Sequence, residues 1–271
     1  MGLENYNKQA FANRLLNQYL DYSGDYTGLK LLRLYKVCRA MVRAKVTLLQ
    51  SPQASAPSEN YYHYMRLASS YVVDKKTFIA ITYGVSASGK STVSEFIAAH
   101  CNAVRLRSDV ERKRLFGLKP LERSIPELKP VMYSEQASEK TFTALSQLTA
   151  DILASAYAVI IYATFLRKAQ REKFRQLAME CAVEFVIVDC QSSEAVLLDR
   201  LAKRQSLSNE VSEADVEVML QQCLHRDVLS DSEKQYRCVV NTELPLSKNS
   251  DWLSRFESLR GGNQPDSAAV N

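Results

Sequence analysis

The stretch GVSASGKS, residues 84–91, has the residue types and the spacing of a phosphate-binding loop. It follows the apolar, β-branched run Thr77 to Tyr83 and precedes a helix-compatible segment, Thr92 to His100. In this order, the glycines let backbone N–H groups converge on phosphate oxygens, and the positive end of the helix reinforces the site. The motif predicts that Lys90 reaches the β- and γ-phosphates of a nucleotide and that the Ser91 hydroxyl binds Mg²⁺.

A carboxylate and a guanidinium follow the next predicted strand, Ala103 to Leu106. Ligands of open parallel sheets bind beyond the carboxyl ends of the strands. A helix that begins there would place Asp109 and Arg112 on the same side. Asp109 could then accept the proton of an attacking hydroxyl, and Arg112 could hold the acceptor or offset transition-state charge. The alternative is an aspartate that caps a helix, followed by a surface arginine.

The third predicted strand ends in Tyr162, where a nucleotide-binding sheet usually has an aspartate that helps to hold Mg²⁺. A neutral phenol is a poor magnesium ligand. Asp189 ends the fourth predicted strand, and a structural role is favoured there. The triplet His225-Arg226-Asp227 spells the start of a protein-kinase catalytic loop, but it lacks the required asparagine five positions beyond the aspartate, where Ser232 lies.

Two arginines four residues apart, Arg200 and Arg204, lie on a predicted helix that leads into a polar segment, Gln205 to Ser212, which is expected to be mobile. Phosphotransferases often close an arginine-bearing lid over the phosphates, which excludes water and favours transfer over hydrolysis. Arg200 and Arg204 are therefore candidates for lid residues. The alternative is that they belong to a solvated, charged helix face.

The elements that position these residues form an α/β fold. From Lys76 onward, predicted strands alternate with helices, which indicates a five-stranded parallel sheet flanked by helices. An N-terminal helical appendage precedes it, with predicted helices over residues 4–20, 29–49 and 59–73 and a linker over residues 51–58. Phe11, Leu15 and Tyr19 lie four apart on one side of the first helix. Ser134 is positioned to cap a long helix that reaches about Ala156.

Composition narrows the class of protein. The 271-residue chain has a formal net charge of +5, which suits phosphate-rich ligands but is too small to indicate nucleic acid. No apolar run approaches the length of a membrane span. The six cysteines, none in a C-x-x-C pair, are expected to be reduced, buried thiols of a cytoplasmic protein.

The segments GVSASGKST, VRLRSDVERKRLFGL, YSEQASEKTF and ATFLRKAQREKFR also resemble a known family. They are similar to the P-loop kinase, or AAA-type ATP-binding, domain of bacterial bifunctional aminoglycoside phosphotransferase/ATP-binding proteins. That domain is related to zeta-toxin and chloramphenicol-phosphotransferase kinases. The stretch YLDYSGDYTGLKLLRLYKVCRAMVRAKVTLL resembles the last helices of the phosphotransferase-like domain of such fusions. The H-G-D segment of that domain does not occur in the chain.

The resemblance implies a division of the chain. Residues 1–56 would be a remnant of the phosphotransferase-like domain with its linker, residues 57–75 a connecting helix, residues 76–258 the kinase domain, and residues 259–271 a disordered tail. A phosphotransferase-like domain on a separate chain would be a possible partner.

The resemblance also implies roles for residues. Asp109 would be the base that activates the acceptor and a second metal ligand beside Ser91. Lys90, Arg112 and the lid arginine Arg204 would complete the catalytic set. The family has V-D-A-T-F where this chain has Ile161-Tyr162-Ala163-Thr164-Phe165, which puts metal handling and turnover in question. ATP would bind along the loop residues Gly84, Val85, Ser86, Ala87, Ser88, Gly89, Lys90, Ser91 and Thr92.

Two functions follow as hypotheses. The first is a kinase that transfers the ATP γ-phosphate, with Mg²⁺, to a hydroxyl of a small-molecule or nucleotide-like acceptor. The second is a non-catalytic or weakly hydrolytic ATP-binding module of a degraded fusion protein. Intact Lys90, Asp109 and Arg112 favour the first, and Tyr162 favours the second.

Overall fold

The computed structural model describes residues 1–50, 56–73, 76–120, 122, 127–205 and 216–259. The strands are β1 (Phe78–Tyr83), β2 (Ala103–Arg107), β3 (Ala158–Tyr162), β4 (Glu184–Gln191) and β5 (Arg237–Asn241). The helices are α1 (Gly2–Asn5), α2 (Gln9–Ser23), α3 (Leu29–Leu49), α4 (Glu59–Val72), α5 (Lys90–His100), α6 (Ser108–Leu115), α7 (Lys129–Met132), α8 (Glu135–Ala154), α9 (Lys168–Glu180), α10 (Glu194–Gln205), α11 (Val216–His225), α12 (Asp231–Lys234) and α13 (Ser250–Leu259).

The five strands form one parallel sheet, as the sequence predicts, and the structure gives their order as β2-β3-β1-β4-β5. Every residue of β1 is buried, which is typical of a central strand covered on both faces. The side chains of Ile79 and Ile81 join one core cluster, together with residues of α8 and α9. The side chains of Phe78 and Ala80 join a second cluster with residues of α5 and α13. The sheet therefore lies between two helical layers.

Helix α2 packs on the edge strand β2 through its polar side. Asn17 Nδ2 donates to the Ala103 carbonyl oxygen over 3.1 Å, and the Arg105 amide donates to Asn17 Oδ1 over 2.6 Å. Asn13 Nδ2 donates to the Ala99 carbonyl oxygen over 2.6 Å. These side chains satisfy backbone groups of an edge strand and of the helix before it. The N-terminal helices are thus hydrogen-bonded directly to the sheet.

The first predicted helix differs from the structure in two ways. It is divided, because Asn7 has a left-handed φ of 56° between α1 and α2. Its apolar residues Phe11, Leu15 and Tyr19 are exposed, while Asn13 and Asn17 are buried. Hydrogen bonds to the sheet edge explain why the polar side faces inward. The predicted helix over residues 29–49 and the cap of α8 are confirmed, with the Ala137 amide donating to Ser134 Oγ over 3.2 Å.

The cysteine prediction is only partly correct. Cys190 and Cys238 are buried, but Cys38 and Cys223 are exposed, so the expectation of buried thiols is wrong for those two. All six are free thiols. Within the described ranges, no helix combines the length and the apolar character needed to cross a bilayer. The predicted tail, residues 259–271, lies outside the described residues except for Leu259, and the domain division stays a prediction.

Candidate functional site

A cavity of about 550 Å³ lies at the carboxyl ends of β1, β2 and β3. Its lining includes the loop after β1, the start of α6, the end of β3 and the short helix α7. The loop contributes Ser86, Ala87, Gly89, Lys90 and Ser91, and the opposite wall contributes Ser108, Asp109, Arg112, Lys129, Tyr133 and Tyr162. The structure therefore brings the two predicted groups of site residues to one cavity, although they come from different strands.

The loop curves around the cavity at two glycines. Gly84 has a φ of 145° and Gly89 a φ of 82°. A Cβ atom on Gly84 would lie 2.6 Å from Ser88 Oγ and 2.9 Å from the Cys190 carbonyl oxygen. A Cβ atom on Gly89 would lie 2.7 Å from Thr242 Cβ. Glycine is required at both positions because of these close approaches and positive φ angles.

Lys90 is buried at the base of the loop, with 5% of its surface exposed. Its Nζ donates to the Val85 carbonyl oxygen over 2.5 Å and to Ser88 Oγ over 3.4 Å. Helix α5 begins at Lys90, so its positive end also lies at the loop. A curved backbone, a buried lysine and a helix N-terminus together favour a phosphate group. The residues present therefore fit the phosphates that the motif predicts.

Distant side chains support the loop. Gln222 on α11 accepts hydrogen bonds from the Ser86 amide over 2.7 Å and from Ser86 Oγ over 2.9 Å. Arg200 Nη1 donates to the Ala87 carbonyl oxygen over 3.2 Å and to Thr242 Oγ1 over 3.0 Å. Arg200 thus braces the outer side of the loop and is bonded to protein atoms there. The side chain of Arg204 lies outside the described residues, as does the predicted mobile segment except for Gln205, the last residue of α10.

Asp109 and Arg112 lie on α6, which begins directly after β2. Asp109 Oδ2 accepts from Arg107 Nη2 over 3.2 Å, and Asp109 Oδ1 accepts from the Val110 amide over 3.0 Å. These two hydrogen bonds fix the orientation of the carboxylate, and each oxygen keeps a further lone pair. As the sequence predicts, Asp109 and Arg112 line the same side of the cavity.

Arg112 is a buried cation held by neutral groups. Its Nη1 donates to the Met132 carbonyl oxygen over 2.6 Å and to Ser138 Oγ over 3.3 Å, and its guanidinium lies 5.1 Å from the centre of the Tyr133 ring. Burial lowers the pKa of the guanidinium, and nearby Tyr133 and Asp109 offset this in part. The Arg112 side chain is thus held in one position in the wall of the cavity.

The two predicted metal ligands share the cavity with Tyr162, which occupies the position where a nucleotide-binding sheet usually has an aspartate as a further metal ligand. Ser91, Asp109 and Tyr162 all line it. The Tyr162 ring lies 5.8 Å from the guanidinium carbon of Arg107. A hydroxyl and a carboxylate are oxygen ligands that suit Mg²⁺ when phosphate oxygens and waters complete its shell. The described residues contain no cluster of three or more His, Cys, Asp or Glu side chains that could hold an ion by themselves.

Two other sequence candidates have structural contacts. Asp189 is buried, with its Oδ2 2.6 Å from Arg237 Nη2, and it does not line this cavity. Asp227 Oδ2 accepts from the Lys168 amide over 2.7 Å at the start of α9. The structural interpretation of Asp189 and the rejection of a kinase catalytic loop at residues 225–227 agree with these positions.

Sequence reasoning missed Tyr133, Gln222 and Arg107. Gln222 and Tyr133 reach the site through contacts with Ser86 and Arg112, which are distant in sequence, whereas Arg107 contacts Asp109 two positions away. No local motif marks them. Arg107 is the last residue of β2 and directly precedes α6. This position at a strand end is the signal that the sequence offers for Arg107.

A family model described as "AAA domain" matches residues 79–227, more than half of the chain. Uncharacterized proteins of Mycobacterium bovis and Mycobacterium tuberculosis are 24% identical over 208 residues, which cover 75% of this chain and 41% of theirs. The chain thus matches less than half the length of these relatives.

Two solved structures have similar folds. A proposed kinase from Chloroflexus aurantiacus j-10-fl aligns with a TM-score of 0.51 and 20% identity, covering 70% of this chain and 100% of that one. Kti12 of Chaetomium thermophilum, solved with ADP-AlF3, aligns with a TM-score of 0.52 and 11% identity, covering 68% of this chain and 100% of that one. These likenesses concern the fold alone.

Proposed function

We propose that this chain is an ATP-dependent phosphotransferase. The chain belongs to the AAA-domain family, whose model matches residues 79–227, and the proposal proceeds from that membership. The chain would transfer the γ-phosphate of ATP to a hydroxyl of a small-molecule or nucleotide-like acceptor. The observation that carries this proposal is the shared cavity, in which Lys90 and Ser91 lie on one wall and Asp109 and Arg112 on the other. An ATP-binding module without transfer would not require the second wall.

The loop side would bind the nucleotide. Residues 84–92 would hold the phosphates by backbone N–H groups, and Lys90 would exchange its hydrogen bond to the Val85 carbonyl for phosphate oxygens. Ser91 and Asp109 would hold Mg²⁺, which supplies positive charge to offset the charge on the transferring phosphoryl group. The buried position of Lys90 strengthens its interaction with phosphate, because solvent screening is weak there.

The opposite wall would bind and activate the acceptor. Asp109 would accept the proton of the acceptor hydroxyl while the new oxygen–phosphorus bond forms and the bond to ADP breaks. Arg112 would hold the acceptor or offset transition-state charge, since its guanidinium is fixed by Met132 and Ser138. Arg204, whose side chain lies outside the described residues, would act as a lid arginine.

A second candidate function rests on Tyr162. A phenol stands at the end of β3, next to β1, where the resembling family has an aspartate. If that change removes metal handling, the chain would bind ATP without transfer, or hydrolyse it weakly. The water-only reaction in the transfer experiment separates these functions.

A partner is part of the proposal. Phe11, Leu15, Leu34 and Tyr35 are exposed on α2 and α3, and a phosphotransferase-like domain on a separate chain would cover them. The experiment is a pull-down with the part of the M. tuberculosis relative that lies outside the matched region. Capture that is lost in Leu34→Glu would support the partner, and absence of capture would contradict it.

The test of transfer is a screen of hydroxyl-bearing metabolites with γ-labelled ATP and Mg²⁺, with a reaction containing water alone as its control. We expect labelled product with at least one acceptor class, at a rate above that of ATP hydrolysis. ADP formation at the same rate with and without acceptors would favour the hydrolytic module. Absence of ATP binding would overturn both functions.

A further inference from the structure

We propose that Asp21, on the N-terminal helix α2, is a positioning residue for Asp109 and acts on it through Arg107. This inference rests on the proposed phosphotransfer, in which Asp109 is the base. It makes the N-terminal helices a working part of the site and not only a remnant beside it.

Arg107 lies between the two carboxylates. Its Nη2 is 3.2 Å from Asp109 Oδ2, and its Nη1 is 3.7 Å from Asp21 Oδ2. The two terminal nitrogens of one planar guanidinium thus face one carboxylate each. Because the guanidinium is rigid, fixing one nitrogen sets the direction of the other. A change at Asp21 therefore reaches Asp109 over a single side chain.

The position of Asp21 is itself fixed from two sides. Its Oδ2 also lies 3.4 Å from Arg105 Nη2, and its carbonyl oxygen accepts from Arg114 Nη2 over 2.8 Å. Asn17, one turn earlier, is bonded to the backbone of β2 on both sides of Val104. Helix α2 is therefore held in register with the strand that carries Arg107, which makes Asp21 a rigid reference point.

Docking of α2 does not explain the charge at Asp21. Asn13 and Asn17 already supply neutral hydrogen bonds to the sheet edge. Asp21 is only 9% exposed, and burial of a carboxylate costs free energy unless ion pairs or hydrogen bonds compensate for it, which suggests a use for the charge. The charges near it are the two arginines of β2 and the Asp109 carboxylate, and of the two arginines Arg107 alone also contacts Asp109. The geometry points to orientation of Asp109 as that use.

The experiment compares Asp21→Asn with Glu95→Gln. Glu95 is the matched control because it faces Arg105 at 3.9 Å and Arg14 at 3.8 Å beside the same helix, yet has no contact with Arg107. We expect Asp21→Asn to lower kcat on the order of 10-fold with the KM for ATP unchanged, since small misplacements of a reacting group are costly. Glu95→Gln should retain the wild-type kcat.

A double variant separates positioning from a general loss of structure. In the Asp109→Asn background, Asp21→Asn should cause no further fall in kcat, because the residue that it positions is already absent. Arg107→Lys, which keeps the charge but cannot bridge two carboxylates, should match the kcat of Asp21→Asn. An unchanged kcat in Asp21→Asn, or a full additional loss in the double variant, would overturn the proposal.

A readout without turnover keeps this inference distinct from the proposed function. Restricted rotation of the Arg107 guanidinium, seen as separate ¹⁵Nη signals by NMR, should be present in the wild type and lost in Asp21→Asn. If no acceptor is phosphorylated and the signals change as expected, the proposed function fails while the coupling between Asp21 and Arg107 stands. Signals that are identical in both proteins would overturn the coupling.

Discussion

The two walls of the cavity are built in different ways. On the loop side, Lys90 is bonded to Val85 and Ser88, all within one stretch of eight residues. On the opposite side, the contacts join distant parts of the chain. Arg112 Nη1 donates to the Met132 carbonyl oxygen over 2.6 Å across 20 positions, and Asp21 faces Arg107, the partner of Asp109, from another helix. The first wall is thus a local sequence motif that Gln222 and Arg200 support from outside, whereas the second is assembled from distant parts of the chain.

This difference indicates how each wall responds to change. In the proposed function the loop would bind phosphate mainly through its backbone, so binding would depend on glycine geometry and one lysine. The opposite wall depends on side chains whose positions are set by neighbours on α2 and β2. We therefore expect substitutions on the two walls to have separable effects, on ATP affinity for the loop and on transfer for the opposite wall.

The largest effect is expected from Asp109→Asn. Loss of the base should lower the rate of phosphate transfer about 10²- to 10⁴-fold, while ATP affinity measured without Mg²⁺ stays unchanged because the loop is intact. Transfer rates under saturating ATP and isothermal titration check the two parts. Asp151→Asn, which changes an exposed carboxylate on α8, is the control. Unaltered transfer in Asp109→Asn would remove Asp109 from the role of base.

Lys90→Ala tests the other wall. Charge-assisted hydrogen bonds contribute about 1.5–3 kcal/mol, so we expect the Kd for ATP to rise about 10- to 100-fold. Titration calorimetry measures this, with Lys173→Ala as a control at an exposed lysine that is bonded to Thr143. Full ATP affinity without Lys90 would contradict the assignment of the loop.

The stability of the region below the loop, around the Arg171–Glu233 ion pair, should decrease at low pH. Arg171, which lies 5.2 Å from the centre of the Tyr83 ring, forms an ion pair of 2.6 Å with Glu233. Burial raises the pKa of Glu233, but hydrogen bonds from Arg171 and Ser230 outweigh this and lower it from 4.5 to about 2. Since the pKa is lower in the folded state, the stabilisation is complete above pH 4.5 and is lost as the pH falls toward 2.

Thermal unfolding as a function of pH measures this contribution. Glu233→Gln should cost about 3 kcal/mol at neutral pH, because it leaves the buried charge of Arg171 without its partner. The variant should also lose part of the acid dependence. Equal melting temperatures for the two proteins at neutral pH would show that the ion pair does not support the loop side.

The smallest effect is expected from Tyr162→Asp. If the tyrosine weakens metal binding, a carboxylate there should raise Mg²⁺-dependent turnover on the order of 10-fold. Tyr162→Asn, which supplies a polar side chain without charge, should give no such rise. Turnover at several Mg²⁺ concentrations is the measurement. An unchanged rate in Tyr162→Asp would mean that Ser91 and Asp109 suffice for the metal.

Local patterns predicted much of this molecule from sequence. Apolar runs located the strands, the loop motif located one wall of the cavity, and Ser134 marked the start of α8. Asp109 and Arg112 were found because parallel strands present their carboxyl ends at one edge. These features depend on residues close together in the chain or on a general rule of parallel sheets.

The remaining features depend on tertiary contacts that a single sequence does not encode locally. The apolar side of α2 predicts burial, yet Asn13 and Asn17 face inward because the edge of β2 offers unpaired backbone groups. Gln222 reaches the loop across 136 positions. Arg171 lies in a helix that looks exposed by composition, but the structure buries it against Glu233.

The most direct test of this account is a crystal structure with Mg²⁺ and a non-hydrolysable ATP analogue. We predict that the phosphates lie along residues 84–92, that Lys90 Nζ leaves the Val85 carbonyl to contact them, and that the terminal phosphate faces Asp109 across the cavity. A nucleotide bound elsewhere, or a terminal phosphate that faces away from Asp109, would contradict the assignment of the two walls.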